Sequence, residues 1–271
     1  MCCFSRSVRH VSGTQIFARG GSDGGQFLVY KMTVALTDDV AMVLPLPVPL
    51  GTPEAAVRFI DLSGYPDFFV DLDSAFPSYI LPSKGRSLRG GDEPPRAKLV
   101  VQRGGDFEAS FVPSAADFTR LDARFRLPAA VWDKLPAYRD YGFAVFKLHR
   151  LRGLWTRLLG RTQSVHPMAF HFPRRDPTQL FFPTLHIHDG VVHSTARFDH
   201  ALFLQGDDGL QLDAGWMRSP QAASAFMKPD RTAGIVDGAG PCYRRVVMGV
   251  QPNADIVVPA AAPRGAASVA L

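Results

Sequence analysis

The run Leu185-His186-Ile187-His188-Asp189-Gly190-Val191-Val192-His193 constrains the fold more than any other stretch. Asp-Gly between two β-rich runs predicts a two-residue type I′ hairpin, because that turn needs positive φ at both central residues. With Asp189 and Gly190 as the loop, residue 188 pairs with 191, 187 with 192 and 186 with 193. Side chains alternate between faces along a strand. His186, His188 and His193 therefore share one face, and Leu185, Ile187 and Val192 form a core face behind them. Opposed Cβ atoms lie about 5 Å apart, within reach of one metal ion. A sheet backed by a core is required.

A core is affordable in a chain of 271 residues with 46% hydrophobic and 20% charged residues. The length suits one large domain or two small ones. Thirty Lys and Arg against 25 Asp and Glu leave a net charge of +5, too diffuse to argue for nucleic acid. No apolar run approaches the length of a membrane-spanning helix, and Val40 to Leu50 is broken by Pro45, Pro47 and Pro49. The start, Met1-Cys2-Cys3-Phe4-Ser5-Arg6, lacks the apolar region of a signal peptide, so an unexported, cytoplasmic protein is expected. Three cysteines, Cys2, Cys3 and Cys242, argue against a disulfide framework and leave the thiols reduced.

In chain order, Thr14 to Arg19 and Gln26 to Val34 read as strands around the glycine-rich turn 20–25, and Val40 to Leu46 as a third. Thr52-Pro53 caps a predicted helix, and a second begins near Pro66 with Phe69, Leu72 and Phe76 on one face. Phe107 to Val112 is a strand, and Pro113-Ser114 opens a helix with Phe118, Leu121 and Phe125. Both helices carry F-x-x-L-D-x-x-F, with Asp73 and Asp122 at matching places, which fits either a weak internal duplication of a strand–helix unit or the shared spacing of any two amphipathic helices. Residues 82–98 are a polar loop rich in Pro and Gly, and Pro128 to Leu135 a short helix. From Tyr141 the texture is β-rich: Tyr141 to His149, Val165 to Phe172, Leu180 to His188, Val191 to Phe198 and Ala201 to Gln205. Leu151 to Gln163 interrupts it with a basic amphipathic helix bearing Arg150, Arg152, Arg157 and Arg161, a surface for a membrane or an acidic partner. The Ala/Pro-rich tail, 251–271, is expected to be disordered.

Three neutral imidazoles suit zinc or copper, and an open fourth position marks a catalytic rather than a structural zinc site. His171, His200, Cys2 and Cys3 are further possible ligands, and Asp199 a carboxylate that would orient an imidazole. A cysteine would arrive if the N-terminal strand lay against the hairpin. Independently, removal of Met1 would give Cys2 a free α-amine able to act as base for its own thiol. Arg174-Arg175 and Lys147 are candidate anion contacts.

The order of Cys-x-F, IFAR, QFLVY, AMVLPLPVP, YGFAVFKL, HPMAFHFP and FFPTLHIHDG over residues 2–205 resembles a bacterial domain family of unknown function. Its members pair a strand ending in V-L-P-x-P with a later β-rich segment, and usually carry an export signal and often a membrane anchor, neither of which is expected here. That resemblance implies one continuous α+β module and no mechanism. The N-terminus is distantly similar to choloylglycine-type N-terminal cysteine hydrolases, in which an Arg and an Asp follow the cysteine. That similarity would make Cys2 the nucleophile, with Arg19 and Asp23 in support.

The expected architecture is thus α+β, largely antiparallel sheet with several packed amphipathic helices. One domain spans 1–250, with possible halves 1–136 and 137–250. The leading expectation for function is a zinc- or copper-binding protein, a metalloenzyme if the ion activates water, with His186, His188 and His193 as ligands. An amide hydrolase using Cys2 and a non-enzymatic interaction module are the alternatives. The sequence names no small-molecule substrate.

Overall fold

Every residue of Val40–Leu46 is buried, which requires cover on both faces and neighbours on both edges. In the computed structural model this strand is central to a six-stranded sheet. Residues described are 2–36, 38–77, 102–104, 107–127, 129–149, 162–188, 190–206, 210 and 212–260. The first sheet runs β12 (His186–Ile187), β1 (Cys2–Phe4), β4 (Val40–Leu46), β8 (Gly142–Leu148), β7 (Phe107–Val112) and β6 (Gln102–Gly104). Pro45 is tolerated in β4 because β1 pairs only with Met42 and Val43 and stops short of it, so no ladder donor is missing on that edge.

The second sheet runs β14 (Met217–Ala222), β15 (Pro241–Pro252), β13 (Thr195–Gln205), β2 (His10–Gly20), β3 (Gly25–Ala35), β10 (Met168–Pro173) and β5 (Arg58–Ile60), with β9 (Gln163–Ser164) also on β3. A third pair joins β11 (Gln179–Phe182) to β16 (Ile256–Pro259). Both large sheets are mixed, since β1 pairs with β12 and β2 with β13 in parallel. One core lies between the sheets, where Phe143 and Phe146 of β8 meet Phe170 and Phe172 of β10. A second lies on the outer face of the second sheet, where Phe17, Val29 and Phe203 are covered by α1 (Phe68–Ser74) and the 223–236 segment.

Most of the strands expected from alternation form, and the sheet-rich character holds, although Leu180 to His188 is split into β11 and β12 and residues 191–194 carry no strand. The helices do not form as expected. Among the described residues there are two α-helices, α1 and α2 (Ala129–Asp133), of seven and five residues. The helix after Thr52-Pro53 is a single 3-10 turn over Glu54–Ala56. The Phe118/Leu121/Phe125 segment is two 3-10 pieces, Ala115–Arg120 and Ala123–Phe125, separated where Leu121 and Asp122 turn extended. The two F-x-x-L-D-x-x-F segments therefore differ. Phe69, Leu72 and Phe76 enter the outer core, whereas Phe118 and Phe125 enter the inner one.

The tail also departs from expectation. Residues 251–260 are ordered into the end of β15 and all of β16, because Ile256 to Pro259 finds a partner edge in β11. The loop 82–98, the Arg150–Arg161 segment, Asp189 and residues 261–271 lie outside the described residues. The glycine-rich turn 20–25 is a plain hairpin loop, closed by Gly21 N–H to the Gly25 carbonyl at 2.8 Å. Among the described residues no helix is long and apolar enough to cross a membrane.

Candidate functional site

The predicted hairpin is replaced by a longer-range arrangement. His186–Ile187 pairs in parallel with Cys2–Cys3, His186 opposite Cys2, and Val191 to His193 carry no strand. What holds His186 in place is the segment expected to be a disordered tail. Asn253 accepts the His186 N–H at 2.7 Å and donates its amide to the carbonyls of His186 and His193, both at 2.9 Å. Asp255 accepts the N–H groups of Thr184 and Leu185 at 2.7 and 2.8 Å and the Tyr138 hydroxyl at 2.7 Å. Both residues imitate a missing strand.

Three imidazoles stack behind this clamp. His188 and His186 have ring centroids 4.9 Å apart, and His186 and His200 4.8 Å, each pair inclined by 27°. Phe198 lies 4.6 Å from His186 and 5.0 Å from His200, and Phe4 is 5.8 Å from His188. The Nε2 atoms of His186 and His200 are 3.0 Å apart. His186 is 9% exposed and His200 1%. Burial, reinforced by the neighbouring His188, pushes His186 down to about 3. Burial likewise pushes His200 well below the ordinary value, with His186 and His188 adding to it. Both rings are therefore neutral at ordinary pH.

Tautomers follow from the neighbours. The Asp199 N–H donates to His200 Nδ1 at 3.3 Å, so that nitrogen carries a lone pair and Nε2 carries the proton. His200 Nε2–H then donates to His186 Nε2, which places the His186 proton on Nδ1. The Asp199 carboxylate stands 3.7 Å from His200 Nδ1 and accepts the Gly13 N–H at 2.7 Å. Gly13 sits at φ 59°, in a register shift of the β2–β3 pairing, a backbone conformation that favours glycine. Burial raises the Asp199 carboxyl.

His193 is exposed, with its carbonyl engaged by Asn253; the third ring of the stack is His200. Cys3 is fully buried in the inner core. Arg19, Asp23 and His171 gather elsewhere. His200 pairs with Thr14 and Gln205 with Arg19, so Arg19 lies five residues further along β2, about 17 Å at strand rise. Arg19 donates to the carbonyls of Ile235 and Gly234 at 2.7 and 2.6 Å. His171 Nε2 meets Asp23 Oδ1 at 3.2 Å, its ring against Gly25, where any Cβ would collide with it. Arg19 and Asp23 thus belong to the end of β2 away from the imidazole stack. Among the described residues no group of three or more His, Cys, Asp or Glu side chains is arranged to hold one ion.

No family model matches the chain, and no curated protein matches it. Among solved structures it is similar to the crystal structure of baculovirus P35, at 13% identity over 93% of this chain and 97% of that one, with a TM-score of 0.48. That likeness is too low to carry an argument about function.

Proposed function

We propose that the chain binds a transition metal ion, zinc or copper, through His186 and His200, with His188 next in the stack. The observation that supports this is the 3.0 Å approach of two buried, neutral Nε2 atoms. Two nitrogens bound at 2.0–2.1 Å to a tetrahedral zinc lie about 3.3 Å apart, so an ion would replace the proton shared between the rings with a small separation. His200 would then carry its proton on Nδ1, facing the Asp199 carboxylate, in the way that acceptors orient metal-bound imidazoles. Cys2, opposite His186 in register, is the first residue to substitute in a search for a third ligand.

The test is metal analysis of protein purified without chelator and then loaded with one equivalent of zinc or copper(II). One ion per chain, lost in His186→Ala and His200→Ala and retained in His193→Ala, supports the reading. A stoichiometry near zero, or one that the His186 and His200 substitutions leave unchanged, overturns it.

A further inference from the structure

A separate feature lies where β10 leaves the second sheet. Arg174 and Arg175, adjacent in sequence, line a cavity of about 150 Å³ whose other walls include Pro47, Tyr141, Phe181 and Val257. Each guanidinium is held by main-chain carbonyls. Arg174 donates to Gly24 at 2.9 Å and Gln179 at 3.0 Å. Arg175 donates through Nε to Val48 at 3.0 Å and through a terminal nitrogen to Asp140, and lies 5.2 Å over the Tyr141 ring. Carbonyls fix a guanidinium in place without cancelling its charge. Among the described residues neither arginine makes an ion pair with a carboxylate.

The acid on the wall, Asp176, accepts the N–H and hydroxyl of Thr178 on a single oxygen, Oδ1, at 2.8 and 2.6 Å. Two cations against one such acid leave the cavity net positive. The remaining walls are apolar or aromatic, and Gln26, fully buried, has both ends of its amide taken by the Phe181 backbone at 2.7 and 2.9 Å. A positive, pre-positioned end and an apolar remainder recognise an anion on a short hydrocarbon stem. A cavity of this volume accepts a ligand of about six heavy atoms. Guanidinium forks match a planar carboxylate.

We infer that this cavity binds a small carboxylate with a short apolar stem, of the size of propionate or a glutamate side chain. The acid comes either free or on a partner polypeptide, and the probes separate the two.

The protein would be titrated with propionate and with the peptide acetyl-Ala-Glu-Ala-amide, against chloride at equal ionic strength, following the arginine Nε–H resonances by NMR. The expected result is saturable movement of the Arg174 and Arg175 signals. Tighter binding of the peptide assigns a partner's side chain, and equal or tighter binding of propionate assigns a free acid. Arg175→Gln should weaken binding roughly tenfold or more. Because Arg175 also braces two loops, Val257→Asp serves as the second variant. Val257 is 48% exposed on β16, and a carboxylate there competes for the arginines without touching their carbonyl partners, so binding should again fall. Non-saturating changes equal to those with chloride overturn the inference, as does unchanged affinity in Val257→Asp.

Discussion

Two histidine groups occupy opposite ends of the second sheet, and the chemistry around them differs. At one end His186 and His200 meet ring to ring, buried, with no carboxylate between them. At the other, His171 meets the carboxylate of Asp23, which is 59% exposed. In the first group burial acts unopposed and both rings are held neutral. In the second, burial lowers His171 while Asp23 pulls the other way. Burial works to raise the Asp23 carboxyl in turn, but the Gly25 N–H and His171 outweigh it and hold it below the ordinary range. A buried imidazole pair has lone pairs to offer an ion. In His171 the Asp23 carboxylate already engages Nε2.

The comparison breaks most severely at the clamp that builds the first group. Asp255→Ala removes the acceptor of two N–H groups and one hydroxyl and should cost about 3–5 kcal/mol, read from urea unfolding. Little or no loss would show that the β12 segment holds itself. His200→Ala should cost about 2–4 kcal/mol, from the cavity it leaves and the unpaired His186 nitrogen. By contrast, His193→Ala, at an exposed position, should change stability by less than about 0.5 kcal/mol. Comparable losses in the two variants would mean the stack is not the structural centre of this end.

Acid sharpens the contrast. In the metal-free protein His186 stays neutral in the fold down to about pH 3, whereas in the unfolded chain it takes a proton near pH 6.5. Below that pH the unfolded state binds more protons, so the stabilisation is complete above about 6.5 and is lost as pH falls towards 3. His200 is displaced in the same direction. Each ring contributes a slope of about 1.4 kcal/mol per pH unit, and unfolding curves from pH 7 to 4 should flatten in His200→Leu. A wild-type profile already flat over that range would contradict the buried, neutral pair. The smallest change is expected at the other end. Asp23→Asn keeps an acceptor for Gly25 N–H, costs less than about 1 kcal/mol, and lowers the His171 pKa further, visible by NMR titration.

Most strands were legible in the sequence because local pattern and tertiary role agree. QFLVYKMTV and VAMVLPL form strands where β-branched and aromatic residues predict them. Helical spacing misleads at Phe118, Leu121 and Phe125, because the chain breaks between two 3-10 pieces after Arg120 and the inner core takes Phe118 and Phe125 without a continuous helix. At the site, His186 and His188 were visible as a pair, but register arithmetic assumed a local partner. The actual neighbour of His186 is Cys2, a pairing across most of the chain. His200 was visible only as a histidine downstream, and its role depends on β13 lying beside β2. Asn253 and Asp255 carried a faint signal, two side-chain acceptors just before the β-branched run Ile256-Val257-Val258. The Ala and Pro content around them hid it.

The parallel pairing of β1 with β12 sets an order of events during synthesis. Cys2 to Phe4 emerge long before one of their two neighbouring strands, which is not made until residue 187. The residues that fasten that neighbour lie further on, at 253 and 255. At about 5–20 residues per second the ribosome takes on the order of 10–50 s to supply them. Throughout that interval one edge of β1 stays open, so the six-stranded sheet can close only after residue 255 has been made. Contacts this distant in sequence also make refolding slow. A nascent chain halted before residue 253 should therefore leave its first strand accessible, a vulnerability that the finished protein no longer has.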